Sequence, residues 1–228
     1  MEKLKKFYKN KSVLVTGATG FKGSWLCIWL LNFGAKVYAT GFNPNKNKTL
    51  FNSLNLSKKT NLKIFDIRDL NKIDNLVKKT KPQIIFHLAA QPLVIDSYKK
   101  PYLTFDINFR GTLNILEVAK KYKFIKSVVC VTSDKCYENV GKLKGYKETD
   151  MLGGIDPYSA SKSSAELLIR SYIESFFKKN KRGLSSVRAG NVIGGGDWSN
   201  NRLIPDCIRS LSNNKKILLR NPNFSRPW

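Results

Sequence analysis

Short apolar runs alternate with longer amphipathic stretches along most of the chain. The short runs predict buried strands, and stretches with apolar positions three or four residues apart predict helices. The predicted strands lie at 12–16, 35–41, 62–66, 83–88, 127–132 and 184–188. The predicted helices lie at 21–33, 70–80, 101–122 and 157–177, followed by a short helix at 204–211 and a strand-like segment at 217–219.

Strands that alternate with helices imply β-α-β crossovers and a parallel sheet covered by helices on both faces. The pattern therefore predicts an α/β fold, a doubly wound parallel sheet of the Rossmann type, over residues 1–190. After Gly190 the pattern loosens, and residues 191–228 are predicted to begin a smaller C-terminal substrate-binding region. Nothing in Arg226-Pro227-Trp228 resembles a natural end, so we expect the sequence to be a truncated piece of a longer chain.

A glycine motif, TGATGFKG at 16–23, follows the first strand and opens the first helix. Its glycines permit a tight turn, close approach of the backbone to a pyrophosphate, and close helix–strand packing. The free N–H groups of the helix N-terminus then face the phosphate charge. An ordinary turn is the alternative, but the strand before and the helix after favour a dinucleotide cofactor. The motif's predicted cofactor-binding residues are Gly17, Thr19, Gly20, Phe21, Lys22 and Gly23.

The residue that would recognise the adenosine ribose is not the usual acid. Asn43, just after the second strand, can hydrogen-bond a ribose hydroxyl, whereas Lys46 and Lys48 suit a 2′-phosphate. The fingerprint alone therefore leaves NAD and NADP both open. Asp66 and Ile67, after the third strand, suit an adenine edge, and a helix-capping loop is the alternative.

Tyr158 and Lys162 form a YxxxK pair near the start of a predicted helix, where the spacing puts both on one face. A free tyrosine has a pKa of about 10 and is a poor base at neutral pH. A neighbouring ammonium and a positive nicotinamide ring favour the phenolate. The motif alone often marks a solvated helix face, but after a dinucleotide fingerprint it predicts a base for a sugar hydroxyl.

Thr132-Ser133-Asp134-Lys135 lies just past the fifth strand, at the edge of the sheet where ligands bind in such folds. Together these side chains offer hydrogen bonding, an acid and a base. A polar strand-to-loop turn is the alternative. Further along, Asn191 and the glycine amides at 194–196 are candidates for binding a diphosphate.

Two other features predict packing rather than chemistry. His87 lies inside an apolar strand and is predicted to be a satisfied core residue. Trp25 and Trp29 lie one turn apart, which predicts packing of the first long helix onto the core.

Composition narrows the class of protein. The formal net charge of +25 suggests nucleic-acid binding, but the lysines are spread along the chain and are read as solvated faces. The four cysteines form no CxxC pair and His87 is the only histidine, so neither a disulfide framework nor a metal site is expected. The longest apolar stretch, 25–33, is too short for a bilayer and no signal peptide is recognisable, which predicts a soluble, cytoplasmic protein.

Taken together, these residues resemble the extended short-chain dehydrogenases and, more narrowly, the CDP-glucose 4,6-dehydratases. The strings that carry the resemblance are GFKGSWL (20–26), FHLAAQPLV (86–94), TSDKCY (132–137), DPYSASK (156–162), SVRAGNVIGGGDW (186–198), RLIPD (202–206) and RNPNFSRPW (220–228). They span nearly the entire chain.

The resemblance implies a three-stage reaction on CDP-glucose with NAD. Tyr158 takes the 4-hydroxyl proton as hydride leaves for NAD, with Lys162 holding the tyrosine and the nicotinamide ribose. Water then leaves across C5–C6, and hydride returns to C6. Ser133 bonds the 4-oxygen, Asp134 assists the leaving hydroxyl, and Lys135 removes the C5 proton. In related dTDP- and GDP-sugar dehydratases a glutamate stands where this chain has Lys135.

The resemblance also implies further contacts and an assembly. Ala89, Ala90, Gln91 and Asn108 join the cofactor site, and Asn191, Arg202 and Arg220 bind the nucleotide diphosphate. The helices at 101–122 and 157–177 suit a homodimer through a four-helix interface. One rival hypothesis is a 4,6-dehydratase of another nucleotide sugar. The others are a nucleotide-sugar epimerase or reductase, against which Asp134-Lys135 argues, and an NAD(H) sensor without turnover, against which Tyr158 and Lys162 argue.

Overall fold

A single parallel sheet organises the chain. The computed structural model describes residues 1–42, 49–219 and 221–223. Six strands pair in the order β3-β2-β1-β4-β5-β6, with every pairing parallel. They are β1 (Ser12–Thr16), β2 (Lys36–Gly41), β3 (Asn61–Ile64), β4 (Ile84–His87), β5 (Ser127–Val131) and β6 (Gly183–Val187). Since the order runs outward from β1 in both directions, the predicted doubly wound fold is confirmed.

Helices connect the strands and cover the sheet. They are α1 (Glu2–Tyr8), α2 (Phe21–Asn32), α3 (Leu50–Ser53), α4 (Leu56–Lys59), α5 (Leu70–Thr80), α6 (Val94–Lys99), α7 (Pro101–Phe105), α8 (Gly111–Lys121), α9 (Pro157–Tyr172) and α10 (Leu203–Ser212). Two π-helical segments, Asp106–Arg110 and Ile173–Phe177, and two 3₁₀ turns, Asp134–Cys136 and Lys178–Asn180, complete the regular structure of the described residues.

Apolar side chains are buried on both faces of the sheet, as the continuous apolar strands predict. Along β1 the side chains alternate, so that Leu14 packs with α5, α8 and α9 on one face. Val13 and Val15 pack on the other face, against α2 and the short helices α3 and α4. The sheet is thus held rigidly from both sides, which fixes the loops at its carboxyl edge.

Several sequence predictions need correction. The helix predicted at 101–122 is interrupted by the π-helical segment Asp106–Arg110. The strand-like segment at 217–219 forms no strand, because these residues do not pair with the edge strand β6, and Leu218 is 87% exposed. The N-terminal helix α1 was not predicted, since its lysine-rich sequence buries no residue.

Candidate active site

The predicted site residues gather at the carboxyl edge of the sheet. The turn after β1 carries the glycine motif, and the segment after β4 carries residues 88–91. The turn after β5 carries Ser133, Asp134 and Lys135, and α9 brings Tyr158 and Lys162 alongside them. In parallel sheets these ends face one crevice, which is where ligands bind.

The glycine turn depends on two positions where a larger side chain does not fit. Gly17 has φ +68°, and a Cβ there would lie 2.6 Å from the backbone nitrogen of Ala89. A Cβ on Gly23 would lie 2.2 Å from the carbonyl oxygen of Gly17. The turn after β1 therefore touches the end of β4, and α2 packs directly on the turn.

The N-terminus of α2 is open to an anion. The helix begins at Phe21 with Gly20 as N-cap, and within the described chain it has neither a side-chain cap nor an acid in its first turn. Thr19 is drawn to the end of β2, where its hydroxyl donates to the Phe42 carbonyl at 3.0 Å. Uncapped N–H groups and the positive helix end fit the pyrophosphate of a dinucleotide.

The far end of the predicted cofactor site is described only in part. Asn43, Lys46 and Lys48 lie outside the described residues. The carboxylate of Asp66 accepts from Nη2 of Arg68 at 2.6 Å, and hydrogen bonds from Arg68 lower its pKa.

The adjoining loop also has the helix-capping role that was the alternative. Asp66 Oδ1 accepts from the Arg68 amide at 2.9 Å and the Asp66 carbonyl accepts from the Asp69 amide at 3.0 Å, and the Asp69 side chain caps α5. Ile67 is buried against Gly111. Recognition of the adenine edge by Asp66 and Ile67 remains a prediction.

His87 is a fully satisfied core residue, as predicted. Thr16 Oγ1 accepts from the Ala89 amide at 3.2 Å and pairs with His87 Nδ1 at 2.8 Å. His87 Nε2 lies 3.1 Å from Thr112 Oγ1, which donates to the Asn108 carbonyl. These directions assign the proton to Nε2 of a neutral imidazole. Burial lowers the pKa of His87 to about 3, with Lys162 adding to the effect.

We expect this histidine to make the protein less stable in acid. An unfolded histidine titrates near 6.5. As the pH falls below about 6.5, His87 becomes protonated in the unfolded state. In the folded state it stays neutral until the pH approaches about 3. The free energy of unfolding should thus lose up to about 1.4 kcal/mol per pH unit across this window.

The measurement is urea unfolding of the native chain and of His87→Gln at pH 7.5, 6 and 5. Glutamine can accept from Thr16 and donate to Thr112, but it does not titrate. Its stability should therefore decline less steeply with falling pH. Parallel declines in the two proteins would contradict the assignment of His87 as a neutral core group.

The π-helical segment carries Asn108 into the site. Its Oδ1 accepts from the Gln91 amide at 2.8 Å, and its Nδ2 donates to Ser161 Oγ at 2.9 Å. Ser161 in turn donates to the carbonyl of Tyr158 at 2.7 Å. Asn108 is thus buried as a bridge between the segment after β4 and the start of α9. The cofactor contacts expected of Ala89, Ala90, Gln91 and Asn108 remain predictions.

Tyr158 and Lys162 lie at the start of α9, where Asp156 caps the helix by accepting from the Ser159 amide at 3.0 Å. They are 8% and 6% exposed, so the alternative of a solvated helix face is wrong. Burial raises the pKa of Tyr158, while a hydrogen bond with Ser133 lowers it. Burial, and then Lys22, lower the pKa of Lys162 to about 8.

The turn after β5 presents Ser133 and Asp134 to the tyrosine. The Ser133 hydroxyl lies 3.0 Å from Asp134 Oδ1 and also hydrogen-bonds Tyr158. The Asp134 amide donates to the Ala189 carbonyl at 3.1 Å. The Asp134 carboxylate adds to the rise that burial causes in the pKa of Tyr158, and it opposes the lowering that burial causes in the pKa of Lys22. Lys135 lies on the same turn with an exposed side chain. The structure thus brings Ser133, Asp134 and Tyr158 together and leaves Lys135 at the rim.

The loop after β6 closes one side of the crevice. Arg202 pairs with Asp197 at 3.2 Å. It adds to the lowering that burial causes in the pKa of Lys22 and opposes the rise that burial causes in the pKa of Tyr158, so it lies near the catalytic candidates. Asn191 is half-buried in the same loop. Arg220 lies outside the described residues.

The two tryptophans of α2 are not core residues, contrary to the prediction. Trp25 is 39% exposed, and its Nε1 donates to the Gly195 carbonyl at 3.1 Å. Trp29 is 46% exposed and contacts Phe33 edge-on. The prediction failed because helical spacing identifies a shared face but not what covers it. Trp25 faces a pocket of about 270 Å³, which is also lined by Phe21, Lys22, Val192, Ile193 and Gly194.

One charged side chain near the Tyr-Lys pair was not predicted, and another was predicted only as a cofactor-binding residue. Lys22 entered only as part of the glycine motif, yet its ammonium acts on Lys162. Glu166 was not singled out, although it is 4% exposed. Its position eight residues after Tyr158, on the face that carries Lys162, was the available signal.

The described residues offer neither a metal-binding cluster nor a membrane-spanning helix. Among them, no group of His, Cys, Asp or Glu is arranged to hold a metal ion. No helix in the described part of the chain is long and apolar enough to cross a membrane.

Comparisons with known proteins agree on one family. A family model described as GDP-mannose 4,6 dehydratase matches residues 14–220. The CDP-glucose 4,6-dehydratase of Salmonella typhimurium is 48% identical over 98% of this chain and 64% of its own length. The dTDP-D-glucose 4,6-dehydratase of Dictyostelium discoideum is 32% identical over 92% of this chain and 50% of its own length. The chain thus spans less than two thirds of either relative.

Solved structures agree on the fold. The dTDP-glucose 4,6-dehydratase of Bacillus anthracis in complex with NAD has a TM-score of 0.74 at 25% identity, covering 91% of this chain and 63% of that one. The UDP-glucose 4-epimerase of Thermus thermophilus in complex with NAD has a TM-score of 0.73 at 29% identity, covering 83% and 58%.

Proposed function

The chain belongs to the GDP-mannose 4,6 dehydratase family, and on that premise we propose that it dehydrates CDP-glucose to CDP-4-dehydro-6-deoxyglucose. The observation that carries this choice of sugar nucleotide is the 48% identity to the Salmonella CDP-glucose 4,6-dehydratase across 98% of the chain. The reaction is a carbon–oxygen lyase reaction that supplies deoxysugars. We further propose that residues 191–228 begin the substrate-binding region.

The proposed cofactor is NAD. The tight backbone packing at Gly17 and Gly23, where no side chain fits, and the uncapped N-terminus of α2 are suited to binding a pyrophosphate. Two of the related solved structures hold NAD. When bound, NAD supplies the acceptor and then the donor of the hydride that the overall reaction requires.

Tyr158 is the proposed base for the 4-hydroxyl of the sugar. Its hydroxyl reaches Ser133, so both can bind the same 4-oxygen. Burial raises its pKa, and the hydrogen bond with Ser133 and the positive charge of Arg202 oppose that effect by favouring the phenolate. A base held between these groups can accept the proton without full exposure to water.

Asp134 and Lys135 are proposed for the elimination. Once C4 is a ketone, the C5 proton becomes acidic, and its removal with loss of the 6-hydroxyl releases water. Asp134 lies beside Ser133 and is proposed to protonate the departing hydroxyl. Lys135 is proposed to remove the C5 proton from its exposed position on the same turn.

Positive groups near the crevice suit an anionic substrate. Arg202 lies close enough to Tyr158 and Lys22 to affect the pKa of both, and we propose that it binds the nucleotide diphosphate together with Asn191 and Arg220.

We also propose a cytoplasmic homodimer that does not bind nucleic acid. Its interface would use the groove lined by Tyr102, Phe105 and Phe109, which are at least 36% exposed.

The test is incubation of the purified protein with NAD and, separately, with CDP-glucose, dTDP-glucose, GDP-mannose and UDP-glucose. If the gene encodes residues beyond Trp228, the longer product is assayed in parallel. We expect a 4-keto-6-deoxy sugar from CDP-glucose. The same product from another nucleotide sugar alone would reassign the substrate, and a C4 epimer would favour an epimerase. NAD binding without any turnover, even by the longer product, would overturn the proposal.

A further inference from the structure

A buried carboxylate stands behind the Tyr-Lys pair. Glu166 lies on α9 four residues after Lys162 and eight after Tyr158, on roughly the same helical face. It is 4% exposed, and both of its oxygens accept hydrogen bonds. Oε1 accepts from the Thr132 hydroxyl, and Oε2 accepts from Ser186 Oγ at 2.9 Å.

The third partner of Glu166 is a cation. Arg188 Nη2 donates to Oε2 at 2.8 Å, and the Arg188 side chain is 15% exposed. The guanidinium also lies over the Tyr137 ring at 4.7 Å and donates to the Glu148 carbonyl at 3.2 Å. Glu166 and Arg188 therefore form a charge pair that is fixed from several directions.

These partners come from the two strand ends that carry the site. Thr132 immediately precedes Ser133 at the end of β5, and Arg188 follows β6. Arg188 is in turn next to Ala189, whose carbonyl holds the Asp134 amide. Glu166 thus ties α9 to the turn that presents Ser133 and Asp134.

A buried ion pair such as Glu166–Arg188 contributes little net stability. Charges removed from water lose several kcal/mol of solvation each, and well-packed apolar residues often replace such pairs with no loss of stability. Fixing the geometry of nearby groups is the advantage that apolar residues would not supply. The groups nearest along α9 are Lys162 and Tyr158.

Glu166 also balances the charges that face Lys162. After burial, the ammonium of Lys22 on α2 is the next cause that lowers the pKa of Lys162, because the two positive charges repel each other. Neutral His87 faces Lys162 from β4, and the thiols of Cys130 and Cys136 face it from β5 and the following turn. Glu166 favours the ammonium form from the same helix.

We propose that Glu166, held by Arg188, is a positioning residue for the Tyr158–Lys162 pair: it fixes α9 against the turn of Ser133 and Asp134 and sets a carboxylate one helical turn from Lys162. The inference rests on the proposed function only in treating this pair as catalytic. The charge of Lys162 itself can be measured without substrate or cofactor.

The experiment follows the ¹³Cε resonance of Lys162 through a pH titration of protein labelled at its lysines, assigned with Lys162→Met. In the native chain Lys162 should titrate near pH 8. In Glu166→Gln the midpoint should fall by about one unit, because an opposite charge has been removed. An unchanged midpoint would overturn the proposal, whatever the protein does to CDP-glucose.

The matched control is Glu117→Gln. Glu117 hydrogen-bonds Tyr172, ten residues beyond Lys162 on the same helix, and pairs with Lys120 at 2.7 Å. The substitution is chemically identical and also loosens α9, but it leaves the surroundings of Lys162 intact. An equal fall of the Lys162 midpoint in this variant would show a general effect of loosening α9 and overturn the proposal.

Glu166→Gln leaves Arg188 buried without its partner and can prevent folding. The double variant Glu166→Gln/Arg188→Met removes both charges and leaves neither buried alone. Its Lys162 midpoint should still fall, but by less than in the single variant, because a positive charge is removed as well. If CDP-glucose is turned over, Glu166→Gln should lower kcat ten- to a hundredfold, on the order of a small misplacement of catalytic groups, and leave KM within about twofold. A rise in KM at constant kcat would contradict positioning.

Discussion

Tyr158→Phe should lower kcat for CDP-glucose dehydration by about 10²- to 10⁴-fold, the range that a positioned acid–base group contributes. Phenylalanine fills the volume of the buried ring, but it has no oxygen to accept the 4-hydroxyl proton or to bond Ser133. Affinity for NAD should be almost unchanged, because the glycine turn and α2 are not altered. The measurements are steady-state kinetics and an NAD titration of the same preparation.

Tyr172→Phe is the matched control for that variant. Tyr172 lies on α9, is 8% exposed like Tyr158, and loses a hydrogen bond with Glu117 when its hydroxyl is removed. The substitution should lower the free energy of unfolding by about 1 kcal/mol and leave turnover intact. If the two variants lost activity equally, Tyr158 would not be the base.

Gly23→Ala should lower the free energy of unfolding by about 3 kcal/mol, at the upper end of the cost of overpacking a core. The new methyl would lie 2.2 Å from the carbonyl oxygen of Gly17, a backbone atom that cannot move without displacing the turn. The better helix propensity of alanine offsets only about 1 kcal/mol of this loss. Urea unfolding measures the loss, which is large beside a total stability of about 5–15 kcal/mol.

Gly20→Ala separates packing from cofactor binding. Gly20 is an N-cap with φ −79°, and its nearest neighbour for a Cβ is the Gly17 oxygen at 3.3 Å. Stability should therefore change by less than about 1 kcal/mol, whereas NAD affinity should fall because a methyl enters the space predicted for the pyrophosphate. If Gly20→Ala destabilised the protein as much as Gly23→Ala, the close contact between α2 and the turn would not be the reason that position 23 requires glycine.

The sheet and the location of the site were predictable because they follow from local pattern. Apolar runs mark the central strands β1, β4 and β5, and in parallel sheets such runs end at one edge, so Gly17, Ser133 and Tyr158 could be grouped without knowing any contact. The YxxxK spacing likewise fixes a shared helical face.

What the sequence did not reveal depends on contacts between distant residues. The π-helical turn that directs Asn108 to Gln91 has no marker in local sequence. Glu166 looks like any helical glutamate until Arg188 and Thr132 are brought beside it. Residues 217–219 have the composition of a strand, but a strand also needs a neighbour to pair with.

The contact between the glycine turn and the end of β4 also determines when a ligand can first bind. Thr16 bonds Ala89 across 73 residues, and β1 lies between β2 and β4 at the centre of the sheet. Closing so long a loop costs chain entropy before any contact compensates for it. The phosphate turn is therefore complete only after β4 has paired, and a peptide that ends at β3 should have no affinity for the dinucleotide. A bound dinucleotide would, in return, stabilise the central sheet by mass action.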